Sequence, residues 1–217
     1  MLAYVRRNLR YAYPGNWESG AKALYRRFSR SGVLFSGDDV GMSSLNPALK
    51  VEKIVQLARP QSVLDVGCGT GRTVMQLQQL GINVVGIEAS RLAIGCCPRQ
   101  DLILRHDLRK KIELYRWFDL VWCFEVAEHI HPRYVNIFVG NLVRHSQIIA
   151  LSAARPGQGG EGHFNEQPQS YWEQKFSDYG YILHKGWTTE MKGVPEFYSE
   201  NMMVFTCSAP RNPYRRH

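Results

Sequence analysis

Two glutamates and two histidines have the types and spacing to do chemistry together. Glu125, Glu128 and His129 stand three and four residues apart, so one helical turn would bring their side chains to one side. His163 follows later, in a polar, glycine-laden loop between Arg155 and Gln167. An imidazole takes up and returns protons near neutral pH, which makes His129 and His163 candidate general bases. Two carboxylates and two imidazoles also make a donor set for a hard or borderline divalent cation, which would bind an oxygen and lower its pKa. The alternative is a metal-free site in which Glu125 and His129 only hydrogen-bond a ligand.

A second group lies upstream, in Ser62-Val63-Leu64-Asp65-Val66-Gly67-Cys68-Gly69-Thr70-Gly71-Arg72. Apolar residues running into alternate glycines, followed by a helical pattern, predict a buried strand, a tight turn and a helix start. Glycine lets the backbone approach a ligand closely, and the first N–H groups of the helix would face it. A dinucleotide fingerprint wants glycine or alanine where this chain has Arg72, and a phosphate-binding Walker loop wants a Gly-Lys pair that is absent. Asp65, two residues before Gly67, would repel a pyrophosphate and suits a cationic ligand.

This stretch resembles motif I of the class I S-adenosylmethionine (SAM) methyltransferases, whose cofactor carries an ammonium and a sulfonium. The resemblance runs through residues 45–207 and implies cofactor contacts from Asp65, Gly67, Cys68, Gly69 and Gly71. Glu88 falls 21 positions after Gly67, at a strand end, where an acidic side chain binds ribose hydroxyls. Asp107 and Leu108 match the places that meet the adenine, although Asp107 is also a natural helix N-cap. Phe124 and Glu125 complete the implied cofactor set. The Glu-x-x-Glu-His string of Glu125, Glu128 and His129 is similar to that of two metal-using branches, the ubiquinone-pathway O-methyltransferases and the small-RNA 2′-O-methyltransferases. In the RNA branch a later histidine completes the site, the place His163 would take, so Glu125, Glu128, His129 and His163 become the implied metal ligands. The expected activity is O-methylation of a small-molecule, sugar or lipid-like acceptor by in-line transfer from SAM. An RNA methyltransferase is the second reading and a catalytically inactive SAM-binding or RNA-binding protein the third.

These residues must be held by strands and helices in alternation. Strands are expected at 62–66, 83–88, 101–105, 118–124 and 147–152, and an antiparallel pair at 181–187 and 202–207. Asn46-Pro47 should start a helix that Pro60 ends. Further helices should run from Thr70 to Leu80 before Gly81, from Pro132 to Val143, and from Pro168 to Gly180 with Trp172, Phe176 and Tyr179 on one face. The pattern predicts an α/β fold with a doubly wound, Rossmann-like seven-stranded sheet, mostly parallel with an antiparallel C-terminal strand. Asp65, Glu88, Asp107, Glu125 and His129 all fall at or just after carboxyl ends of strands, where such sheets bind ligands.

The chain has 217 residues and a net charge of +8, enough for one domain plus an extension. The charge is uneven. Residues 1–35 hold seven Lys or Arg against Glu18 alone, and the tail adds Arg211, Arg215 and Arg216. Residues 1–44 are therefore set apart as a basic, aromatic extension or cap, and 45–217 as the methyltransferase domain. Basic residues interleaved with Tyr4, Tyr11, Tyr13, Trp17 and Tyr25 could clamp nucleic acid, but a solvated helical face packed by its aromatics is preferred. No run reaches the ~18 apolar residues of a membrane span. Five cysteines without metal-type spacing fit reduced thiols, so a cytoplasmic location is expected.

Overall fold

The computed structural model describes residues 47–208. The basic segment 1–44, Asn46 and the tail arginines lie outside the described residues, and with them the cap and nucleic-acid expectations.

Seven strands form one sheet: β1 (Ser62–Val66), β2 (Asn83–Glu88), β3 (Ile103–Arg105), β4 (Leu120–Cys123), β5 (Ile148–Ser152), β6 (Ile182–Leu183) and β7 (Met202–Thr206). Their order is β3-β2-β1-β4-β5-β7-β6. The first five are parallel, and β7 runs antiparallel to both β5 and β6. The order reverses between β1 and β4, so the crevice of the fold opens beyond their carboxyl ends.

Both faces of the sheet are covered, which is why its central strands read as continuous apolar runs. Six helices are described: α1 (Ala48–Ala58), α2 (Arg72–Gln79), α3 (Arg91–Gly95), α4 (Val135–Val143), α5 (Gln169–Ser177) and α6 (Lys185–Lys192). Leu64, Val66, Val121, Cys123, Ile149 and Leu151 pack against Phe138 and Leu142 of α4 and Trp172 and Phe176 of α5. Alternate residues Val63, Leu120, Trp122 and Ala150 face Val51 and Ile54 of α1, Val74 and Leu77 of α2, and Met191 of α6. Phe176 stacks on Phe205 with ring centroids 4.1 Å apart. Among the described residues no helix is long and apolar enough to cross a membrane.

Most expected elements appear, with instructive differences. The run 181–187 is strand only at Ile182–Leu183, and Lys185 begins α6, which the sequence did not suggest. The His184 ring caps that helix, accepting the Trp187 N–H at 3.1 Å. Pro47 stands in the N-cap position of α1 without a side-chain cap. The Glu196 carboxylate, remote in sequence, accepts the Leu49 and Lys50 N–H groups at 3.2 Å each. Asp119 joins the start of β4 to that of β1 by accepting the N–H groups of Gln61 at 3.0 Å and Ser62 at 2.8 Å.

Candidate active site

The glycine turn after β1 is pinned from β2. The N–H groups of Gly67 and Cys68 donate to the Ile87 carbonyl at 2.8 and 3.0 Å, and the Gly69 N–H donates to Glu88 at 3.0 Å. Gly71 sits at φ 76° as the N-cap of α2 and offers no side-chain cap, so the first N–H groups of that helix remain for a ligand. A Cβ on Gly67, itself at φ 77°, would run into Val126, because the loop after β4 closes on this turn.

Two carboxylates flank the turn and differ in partners. Glu88 accepts N–H bonds from Gly69, Ala89 and Ser90, while burial pushes its pKa up against those bonds. Asp65 is 3% exposed, and its Oδ2 is without a hydrogen-bond partner among the described residues. Burial, then the neighbouring charge of Glu88, pushes its pKa up from 3.8 to about 8. A buried, orphaned carboxyl is costly unless a cation or donor meets it. A ligand that brings a donor or a positive charge would satisfy it.

Asp107 stands just after β3 and Leu108 is buried beside it. The Asp107 carboxylate accepts Arg109 N–H at 3.0 Å and a guanidinium fork with Nη2 at 2.7 Å. Burial would raise its pKa, but the hydrogen bonds and charge of Arg109 hold it below the ordinary range. In this arrangement Asp107 serves as the turn cap. Phe124, just after β4, lies parallel to Trp122 at 5.7 Å and under the Lys50 ammonium at 5.3 Å.

Beyond β4 the chain makes a 3₁₀ turn at Ala127–His129. The side-chain ligand atoms of Glu128, His129 and His163 all lie within 4.8 Å of one another. Glu128 is fully buried, and among the described residues neither carboxylate oxygen has a hydrogen-bond partner. Burial, then the charge of Glu125, pushes its pKa well up. His129 Nδ1 lies 3.1 Å from the Gly162 carbonyl, and His163 Nδ1 lies 2.8 Å from Glu166. A carbonyl can only accept, so in the neutral His129 ring Nδ1 holds the proton and Nε2 the lone pair. An orphaned carboxylate beside two oriented imidazoles fits a divalent cation.

Glu125 lies outside that trio, although its charge acts on the Glu128 carboxyl. It adopts φ 52°, so it is not on a common helical turn with Glu128 and His129 as the spacing suggested. Its N–H donates to Ser152 Oγ at 2.7 Å, and its carboxylate accepts from Asn201 Nδ2 at 3.1 and 3.2 Å. Asn201, just before β7, and Glu166 were not foreseen, because neither belongs to a local motif. Glu166 follows His163 by three residues, the one spacing that could have suggested it.

A mostly parallel sheet of this order, closed by an antiparallel β7 and with an acidic glycine turn at its switch point, is the fold of the class I SAM-dependent methyltransferases. Residues 63–147 match the family described as methyltransferase domain, which with the fold supports a class I SAM-dependent methyltransferase. It is similar to a ubiquinone biosynthesis O-methyltransferase of Rickettsia typhi, 34% identical over 89 residues, 38% of this chain and 35% of that one. The chain thus matches about a third of the length of that curated relative. Among solved structures it resembles magnesium protoporphyrin IX methyltransferase from Synechocystis PCC 6803, with a TM-score of 0.58 and 16% identity over 81% of this chain and 89% of that one. The methyltransferase domain of a bacterial Hen1 gives a TM-score of 0.56 and 17% identity over 75% of this chain and 98% of that one. Such distant likenesses establish the fold.

Proposed function

We propose that the protein is a SAM-dependent O-methyltransferase for a small-molecule, sugar or lipid-like hydroxyl acceptor, with a divalent cation held by Glu128, His129 and His163. The observation that carries this reading is the trio itself, within 4.8 Å and beyond the carboxyl ends of β4 and β5. The relative named as an O-methyltransferase, and the Synechocystis enzyme solved with S-adenosylhomocysteine bound, support the donor and the kind of acceptor.

Asp65 would meet the positive end of SAM, and Glu88 the ribose. The turn 67–71 would bring its backbone against the cofactor. The acceptor oxygen attacks the methyl carbon in line as the carbon–sulfur bond breaks, and the electron pair stays on sulfur. Its hydroxyl proton must leave: with the cation held by the trio it would pass to solvent, and without a cation the His129 imidazole can take it. Holding the two reactants in line supplies on the order of 7–11 kcal/mol, and a placed base about 10²–10⁴-fold in rate. A bound cation would lower the pKa of the acceptor hydroxyl.

The test is conversion of SAM to S-adenosylhomocysteine in a mixture of phenolic, sugar, lipid and RNA acceptors, before and after chelation. Turnover that chelation abolishes and Mg²⁺, Mn²⁺ or Zn²⁺ restores supports the reading. Turnover on RNA alone would replace the acceptor class. SAM binding without any turnover would favour the inactive-protein reading. Activity untouched by chelation would leave His129 as a simple base, a role His129→Ala would then report.

A further inference from the structure

The loop 155–166 does more than carry His163. Glu166 Oε1 lies 2.8 Å from His163 Nδ1, and its other oxygen accepts the Gly157 N–H at 2.9 Å. The ring itself lies on the backbone of Gly160, where an added Cβ would fall inside contact distance of Cε1 and Nε2. Only glycine leaves room for the imidazole in that pose. The loop is also tied to the turn opposite: Phe164 and Asn165 N–H groups donate to the Glu128 carbonyl at 2.9 and 3.0 Å, and the Gly162 carbonyl meets His129. The two histidine rings then stand edge to face, 4.9 Å apart.

We propose that Glu166 and Gly160 are positioning residues: Glu166 fixes the proton of His163 on Nδ1, and Gly160 seats the ring, so that the Nε2 lone pair serves the Glu128–His129 cluster. The chemistry follows from the partner. An ionised carboxylate accepts only, so Nδ1 must donate and the lone pair falls on Nε2. An outer carboxylate also orients the ring and raises its basicity as a ligand, and losing such a partner typically costs about 10–100-fold in metal affinity. Neither residue touches donor or acceptor in this scheme. The value of the tautomer for catalysis rests on the cation reading above, whereas the tautomer itself does not.

Two readouts separate these levels. Long-range ¹H–¹⁵N spectra of the full chain without metal, at mildly alkaline pH, report which nitrogen of His163 carries the proton. Calorimetry with Zn²⁺ or Mn²⁺ reports affinity. Wild type is expected to show the Nδ1–H form. Glu166→Ala should give a tautomer mixture and about 10–100-fold weaker metal binding. Glu166→Gln should restore both, because its amide oxygen still accepts from Nδ1–H. Gly160→Ala keeps the carboxylate but should weaken metal binding by displacing the ring, and it tests the proposal should Glu166→Ala not fold. Glu166→Ala with an unchanged Nδ1–H signal and unchanged metal affinity would overturn the assignment. If wild type binds no metal, the cation reading fails, and the tautomer spectra alone decide the role of Glu166.

Discussion

Asp65 should make SAM binding a proton-releasing event. With its pKa pushed to about 8 by burial and by Glu88, the carboxyl at pH 7 is protonated in a ratio of about ten to one before a ligand arrives. Pairing with a cation requires the ionised form, so the apparent dissociation constant is multiplied by one plus the protonated-to-ionised ratio. That factor is about 100 at pH 6, about 11 at pH 7 and about 2 at pH 8. Ionising Asp65 at pH 7 therefore costs about 1.4 kcal/mol, which the contact with SAM must exceed.

Calorimetry of SAM binding to wild type and Asp65→Asn across that range provides the assay. The amino group of the ligand titrates near 7.7–8.0 as a free α-amino group does, and dividing by the variant removes its contribution. The wild-type-to-variant affinity ratio should rise about 50-fold from pH 6 to pH 8. Wild type should release about 0.9 proton more than the variant at pH 7, read from buffers of different ionisation enthalpy. The stability of the unliganded protein carries the opposite signature. A raised folded pKa favours the fold below the unfolded pKa near 3.9, and that advantage is lost as pH climbs from about 4 to about 8. Asp65→Asn should therefore raise Tm at neutral pH while weakening SAM binding. A pH-independent ratio, or a variant that binds SAM as tightly as wild type, would refute the reasoning.

Other perturbations test neighbouring parts of the site. Glu128→Gln removes a buried, unpartnered carboxylate whose pKa is raised by burial and then by Glu125. That group favours the fold in acid and loses the advantage as pH rises, so in chelator the variant should melt higher than wild type at alkaline pH and no longer respond to added Mn²⁺. Asn201→Leu strips Glu125 of both bonds at 3.1 and 3.2 Å and should cost about 1.5–3 kcal/mol in urea unfolding; a loss below the error of the fit would mean that Glu125 finds another donor. Phe176→Ala opens the stack on Phe205 and should cost about 3–5 kcal/mol of stability, with the SAM affinity of the folded fraction unchanged.

Parts of this molecule visible in its sequence share a physical trait: each is written in neighbouring residues. The strand-glycine-helix unit of Asp65 to Arg72 needs only local φ freedom and a short apolar run, so spacing sufficed to place it and to set Glu88 beside it. Gly81 and Gly180 ended their helices as expected, at φ 76° and 80°, because a C-terminal stop is a property of one residue. What could not be read depends on the chain returning to itself. Glu196 caps α1 across 147 residues to Leu49, and Asn201 holds Glu125 across 76. No periodicity announces such pairs. Glu125 illustrates the consequence. The i, i+3, i+4 spacing assumed a helical turn, but a left-handed backbone at φ 52°, an N–H committed to Ser152 and a carboxylate held by Asn201 take it off that turn, although its charge still acts on Glu128. The same long-range closure, with Gly162 and Glu166 reaching the two histidines, brings His163 within 4.8 Å of residues more than thirty positions earlier. Local sequence thus selects which side chains are available at the crevice, and tertiary hydrogen bonds decide which of them point at one another.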